Sequence, residues 1–407
     1  MAINIISATI NNKTYTSFIS YNIDIDLESL VNIFELIVSV PDDEIINIGD
    51  RIQIKVDNEE LIDGFIERVS ESDSNYGNLI KISGRDRLGD LVDSKVGAKI
   101  YKPPMDFITL CKNVLETINF KVVPIKRFIG YKSNEVSIIN KYGLIDKLGS
   151  EDDISHRDGD SAFEVIKRCA DKRGLILTTD GFSNLVINDI GEDRCNTILQ
   201  RVIGGSENNI IQSSVDRDWT HRFHKYIVKS TAGNGDGGAM EIIEPLPINS
   251  DRVFTTKVSR QNYGSFVNTQ AETIDSEVRE TRTHYHHMSM TSTRKAVARA
   301  KWEANIQKTK SFTYSCEIYG FRQNLNENIK FNPLWKVNNL VDVWDERRRV
   351  FGSYLIKSIN YSKTNENGTT TLLQLVDKYA YTDSLFEPIS ERIRGRKRVS
   401  NKPEKIL

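Results

Sequence analysis

Two distant stretches of the chain carry the same succession of strands and turns, and that repeat limits the folds open to it. Residues 48–86, "IGDRIQIKVDNEELIDGFIERVSESDSNYGNLIKISGRD", run as an alternating strand, a charged turn, an apolar strand opened by a glycine, a polar turn and a final strand. Residues 337–377, "VNNLVDVWDERRRVFGSYLIKSINYSKTNENGTTTLLQLVD", have the same order. "GFIERV" (64–69) lies against "YLIKSI" (354–359), and "NLIKIS" against "TLLQLV". Identity between the stretches is low, but in both the apolar residues alternate, which puts them on one face of a strand. Two equivalent β modules per chain let three copies present six similar modules around one axis. A cyclic assembly needs one interface to repeat until it closes, so such a chain suits a ring.

The remaining pattern extends this reading. "FELIVSV" (34–40) places Phe34, Leu36, Val38 and Val40 on one face, and "DRIQIKVD" (50–57) does the same with Ile52, Ile54 and Val56. Short strands at this spacing predict an antiparallel barrel or sandwich. Pro103 and Pro104 break the pattern, because neither can donate to a β ladder, and the helical stretch "MDFITLCKNVLETI" follows. Residues 125–158 are polar and irregular and read as a loop or insertion. Ser161 and Glu164 then form an S-x-x-E capping box for a helix ending at Gly174, and a hairpin turns at Asp180-Gly181. A further helix is predicted in "TSTRKAVARAKWEANIQK" (291–308), with Val297, Ala300, Trp302 and Ala304 among basic residues.

At 407 residues the chain has room for about two to four domains. Lys plus Arg is 55 and Asp plus Glu 56, so no net field draws it to nucleic acid, whose binders usually carry a basic surplus. Cys111, Cys169, Cys195 and Cys316 lie far apart without CxxC spacing, which argues for buried thiols over a disulfide framework or a zinc knuckle. "MAINIISATINNKTYT" lacks a basic region followed by a long apolar run, so no signal peptide is expected. No stretch approaches the roughly 18 apolar residues of a membrane span, and no membrane anchoring is expected.

Several clusters invite a chemical reading. "THYHHM" (283–288) gathers His284, His286 and His287, but in a strand the first two face one way and the third the other. Zinc generally needs three or four ligands, so the cluster reads as an edge or interface strand. His156, Asp158 and Asp160 precede a capped helix, where acidic residues favour the N-terminal dipole. His221 and His224 are spaced i, i+3 without the glutamate of a zinc-protease motif, and read as packing. "AGNGDGGAM" (232–240) lacks phosphate-loop spacing and reads as a surface loop. The tail "ERIRGRKRVSNKPEK" (391–405) is strongly basic. Its Arg392, Arg394, Arg396, Lys397 and Arg398 are candidate partner contacts, against a solvated terminus or a DNA contact as alternatives. No catalytic, metal or cofactor site is expected.

The ordered set "SGRDRLGDLVDS" (83–94), "GDSAFEVIKRCADKRGLILTTDGFSNLVI" (159–187), "SVDRDWTHRFHKYIVKS" (214–230), "AVARAKWEAN" (296–305) and the stretch 334–377 resembles the baseplate hub family of contractile-tailed phages, the Mu-type tail protein P. That family is related in architecture to hub rings of larger phages and to secretion-system spike bases. The resemblance implies an α+β, mainly β fold: two tube-like antiparallel β-barrel modules plus small α+β domains, forming a trimeric ring. The expected segments are a first barrel module over 1–98, an α+β domain over 99–200 with a helix at 160–173, and a β-rich region over 201–305 with a helix at 292–308. A second barrel module over 306–382 and the basic tail over 383–407 complete the chain. The resemblance further implies a homotrimer joining a hexameric tail tube protein to a trimeric central spike protein in the virion, with DNA only as passing cargo and no catalytic residues. Baseplate wedge and tape measure proteins are further candidate partners. The rival expectations are a tail-associated peptidoglycan hydrolase and the spike base of a secretion-type injection system.

Overall fold

A computed structural model describes residues 5–39, 45–57, 59–74, 77–101, 105–125, 132, 134–140, 154–156, 158–171, 175–188, 190–191, 193–233, 254–263, 266–288, 293–323, 332–364 and 368–381. Its contacts divide the chain into two compact units. Met1–Ser214 and Ser315–Leu375 make unit 1, and Val215–Tyr314 with Val376–Leu407 make unit 2.

Unit 1 begins with β1 (Ile6–Ile10), β2 (Lys13–Tyr15), β3 (Ser20–Asp26), β4 (Ile33–Ser39), β5 (Arg51–Val56), β6 (Glu59–Ser74) and β7 (Gly77–Asp86). The alternation read from the sequence is the burial pattern observed: Phe34, Leu36 and Val38 on β4 and Ile52, Ile54 and Val56 on β5 are all buried; Val40 lies outside the described residues. Gly64 on β6 and Gly84 on β7 face each other's strand so closely that a Cβ on either would collide with a carbonyl oxygen, of Arg85 or of Phe65. β6 then bulges between Ile66 and Arg68, and such a bulge raises local twist.

An α+β layer follows. It holds α1 (Gly89–Asp93), β8 (Lys99–Tyr101), α2 (Phe107–Thr117), β9 (Lys121–Val122), β10 (Glu135–Asn140), β11 (Ile154–His156), α3 (Ala162–Asp171), β12 (Ile176–Thr179) and β13 (Asn184–Asn188). Asp106 caps α2 by accepting the Thr109 N–H at 2.8 Å. The capping box is formed: the Ser161 hydroxyl accepts the Glu164 N–H at 3.1 Å, and Glu164 accepts the Ser161 N–H at 2.7 Å. Gly174 lies outside the described residues. Leu110, Val114, Val165, Ile166 and Leu185 share one core. The 125–158 stretch is not wholly a loop. β10 lies inside a four-stranded sheet ordered β12-β13-β10-β9, parallel to both neighbours. Val136 on β10 is wholly buried, and a strand this short, covered in part on both faces, leaves no period-two signature for a sequence reading to find.

β14 (Arg194–Arg201) and β15 (Ile210–Arg217) come next, and within β15 the chain enters unit 2. There β16 (Lys225–Gly233), β17 (Phe254–Tyr263), β18 (Phe266–Asp275) and β19 (Thr283–Met288) form a sheet ordered β17-β18-β16-β19. Helix α4 (Thr293–Lys310) packs on it through Ala296 and Ala300 against Val228 and Ala271, with Ala304 against Tyr226. Alanines four residues apart lie on one helix face, and small side chains there let a helix approach a sheet closely. The chain returns within β20 (Phe312–Tyr319) and ends its described course with β21 (Leu340–Asp345), β22 (Val350–Thr364) and β23 (Gly368–Asp377).

The repeat is real and longer than the alternation alone suggested. A single 13-stranded sheet contains the order β3-β4-β7-β6-β5-β1 and, beside it, β15-β20-β23-β22-β21-β14. Strand for strand and in the same chain order, the two sets of six correspond. The pairing Arg51↔Phe65 in the first matches Leu340↔Leu355 in the second, the register in which 64–69 lies against 354–359. The sets differ at their ends, since β1 pairs antiparallel with β5 whereas β14 pairs parallel with β21. Two points depart from expectation. The second set is discontinuous, because β14 and β15 precede unit 2. Among the described residues neither set closes into a barrel; the two share one sheet through pairing of β22 with β3.

Candidate assembly surface

The histidines and carboxylates singled out in the sequence whose side chains the structure describes make local contacts or face solvent. β19 is the edge strand of its sheet and runs parallel to β16. His284 packs beside the rings of Phe223 and Tyr226, at centroid distances of 5.2 and 6.1 Å. His286 Nδ1 lies 3.6 Å from Glu303, and burial followed by the nearby Arg299 lowers its pKa. His287 is exposed. His224 is buried, with Nδ1 within 2.8 and 3.0 Å of the Asp275 and Val278 carbonyls. Its neighbour Arg222 is buried too and meets Asp275 at 2.6 Å and also Glu277. Asp158 accepts the Ala98 N–H at 2.5 Å and Asp160 meets Arg168 at 2.9 Å, so both fasten the approach to α3. Among the described residues no group of three or more histidines, cysteines or acids is placed to hold a metal. All four cysteines are buried and outside any disulfide, and burial pushes the Cys195 thiol up to about 12. Arg392, Arg394, Arg396, Lys397 and Arg398 lie outside the described residues.

Two features of unit 1 escaped the sequence reading. The first is a buried charge cluster where β6 and β7 meet the hairpin β12–β13. Asp63 takes a bidentate contact from Arg51, at 2.7 and 2.5 Å, with Arg87 at 3.6 Å. Burial lowers the pKa of Arg87. Asp86, which accepts N–H groups of Asn32 and Leu88 at 3.0 and 3.1 Å, is pushed up to about 7 by burial. Gly181, at φ +83°, brings the hairpin turn against β6, and its carbonyl accepts the Asp63 N–H at 2.7 Å. The run Arg85-Asp86-Arg87 was visible within "SGRDRLGD", but nothing local says that Asp86 and Arg87 turn inward.

The second is the join between the two six-stranded sets. β22 takes two partners in succession: residues 350–355 pair with β21, and residues 358–363 pair antiparallel with residues 21–26 of β3. Asn360 bridges to Asn22 and Asp24 at 2.6 and 2.5 Å, and Lys363 reaches the Phe18 carbonyl at 3.1 Å. Beneath the ladder the rings of Phe18, Tyr21, Phe321 and Tyr361 meet edge to face at centroid distances of 5.0 to 6.1 Å, a favoured aromatic arrangement. Arg322 pins the same region by meeting Asp57 and Glu59 at 2.9 and 2.5 Å. The join is therefore a continuous ladder with a buried apolar seam.

With the doubled set of strands and its join described, the chain can be compared with known proteins, and those it resembles are phage tail proteins. Over 92% of this chain and 99% of the other, the fold matches the 43 kDa tail protein of prophage MuSo2 from Shewanella oneidensis, with a TM-score of 0.67 at 21% identity. It matches the tail protein from Neisseria meningitidis MC58 over 93% and 98% of the two chains, with a TM-score of 0.71 at 16% identity. Residues 5–86 match the family model of the Mu phage baseplate assembly protein GpP-like N-terminal domain. Along 97% of its length the chain is similar, at 21% identity, to 92% of the baseplate hub protein gp44 of Escherichia phage Mu. The Mu-type resemblance read from the sequence is thus found in the family model, in a curated relative and in the fold.

Proposed function

We propose that the chain is a structural baseplate hub protein of a contractile phage tail, a homotrimeric ring that joins a hexameric tail tube to a trimeric central spike and leaves a channel for DNA. The observation that carries this reading is the correspondence of the two six-stranded sets within one chain. Three copies then offer six similar sets to a six-fold partner, while the parts that occur once per chain, unit 2 among them, are offered three times. One ring can in this way face both symmetries, provided its own interface closes. The formal net charge of −1 suits a conduit that DNA traverses without being gripped. In this reading the work is positional, and the relatives' names, tail and baseplate hub proteins, support a structural role over a catalytic one. The basic residues Arg392, Arg394, Arg396, Lys397 and Arg398 are proposed as a contact arm for an acidic partner protein.

The test is the mass and image of the purified chain, alone and mixed with candidate tube and spike proteins. A three-copy particle with six lobes is expected. A stable monomer under every condition would overturn the proposal.

A further inference from the structure

β6 has the same build as β22 but, among the described residues, two partner strands where β22 has three. Its residues 59–65 pair with β5 on one edge, and on the opposite edge β7 follows it to Ser74. Because Phe65 corresponds to Leu355, the residues equivalent to 358–363, which hold β3, are residues 68–73. Among the described residues no strand takes that edge of β6. Exposure follows the same division. Ile359 and Tyr361 on β22 are 1% and 0% exposed, whereas Glu67, Arg68, Ser70, Glu71 and Ser72 on β6 are exposed and Val69 is half-buried.

The complementary vacancy lies at the other end of the sheet. β15 stands beyond β20 as β3 stands beyond β4, but the outer edge of β3 is taken by β22, whereas among the described residues no strand takes that of β15. Gln212 and Ser214 on β15 are exposed. One chain therefore carries one completed join and both separated halves of a second. Open edges of this kind present unpaired N–H and C=O groups and are templates for another strand.

We infer that residues 68–73 of β6 pair antiparallel with residues 210–214 of β15 in a second copy of this chain, repeating between copies the join that β22 and β3 make within one. This contact rests on the ring reading above and supplies its interface. The two patches differ, so the contact is heterologous, and it must close into a ring or run on as a fibre. Closure at three copies gives six joins that alternate between internal and intermolecular, all built from the same pair of strand types.

The experiment is cysteine cross-linking of the full-length chain with a short bis-maleimide, beside native mass measurement. Ser70→Cys and Ser214→Cys sit at exposed positions, and the four natural cysteines are buried. The double variant is expected to give a covalent closed trimer. A mixture of the two single variants should give a covalent dimer and nothing larger, and either single variant alone should give no cross-link. Ser70→Cys paired with Gln212→Cys covers a register slip of two residues. Far-UV circular dichroism matching the natural chain establishes that each variant is folded. A trimer by mass with no cross-link from either pair overturns the strand pairing and leaves the hub reading standing. A monomer by mass, again without cross-links, overturns both.

Discussion

The two six-stranded sets share strand order, chain order and register, yet they present different chemistry at equivalent places. At the β5–β6 turn Lys55 faces Glu60 across the ladder, and the two meet at 3.4 Å. At the matching place on β21–β22, Trp344 faces Phe351 with ring centroids 4.9 Å apart, and both are about half exposed, at 49% and 47%. Matched inward residues of β5 and β21 stay apolar at two positions, Ile52 and Ile54 on one side and Val341 and Val343 on the other, while the buried Asp345 stands where the first set has Val56. The fold constrains only the buried face, so the outer face is free to diverge. Where it has diverged, six similar sets in a ring would no longer be equivalent. An aromatic pair would recur three times and a charged pair three times, which is what a surface contacting a three-fold partner requires.

The largest expected effect falls in the charge cluster of the first set. Asp63→Ala leaves the buried guanidinium of Arg87 without its carboxylate and should cost unit 1 about 3–5 kcal/mol, read as a drop in the urea midpoint. Replacing matched core residues tests whether the shared sheet makes the sets one cooperative body. Ile54→Ala should cost about 2–5 kcal/mol and Val343→Ala somewhat less. Both should shift one and the same unit 1 transition in denaturant. Separate transitions for the two variants would break the comparison.

A smaller effect depends on pH. Burial raises the pKa of Asp86 to about 7 from its ordinary 3.8, and burial raises that of the neighbouring Asp180 as well. The folded chain therefore holds protons here that the unfolded chain has released, so this contribution to stability is present below the unfolded value and fades as pH rises toward about 7. Urea midpoints from pH 5 to about pH 8 should decline for this reason, and Asp86→Asn should flatten the decline. Glu164 and Asp106 act oppositely. Hydrogen bonds from the Ser161 N–H and the Thr109 N–H lower their pKa values, so their helix caps weaken only as pH falls below the usual carboxylate range. The smallest effect is expected from exchanging the outer pairs. Trp344→Lys with Phe351→Glu, which gives the second set the surface of the first, should change stability by no more than about 1 kcal/mol. The same exchange should abolish any spike binding that uses the aromatic pair, a loss visible by co-sedimentation.

What could be read from the chain beforehand followed the range of the interactions involved. The alternation on β4 and β5, the capping box at Ser161 and Glu164, and the turn at Asp180-Gly181 all depend on residues two to four positions apart, and the structure has each. The repeat was legible where its strands are consecutive, over β5–β7 and β21–β23, and illegible where unit 2 separates β15 from β20. β10 was missed because a short strand with parallel neighbours carries no periodic signal of its own. The proposed assembly surface was half legible: the match of 64–69 with 354–359 extends directly into residues 68–73, but their importance depends on what covers the equivalent stretch.

The sequence by itself determined which faces of the strands are apolar, where the helices α3 and α4 lie, the doubling of a β module and the balance of charge. Each follows from side-chain pattern and local hydrogen bonding. Only the tertiary structure decided that Asp63, Asp86 and Arg87 turn inward together, that β14 and β15 complete the second set, and that β22 holds β3 while no described strand takes the same length of β6. Backbone ladders carry no residue code for their partner, and residues 358 and 26 meet only because the intervening chain folds to bring them side by side.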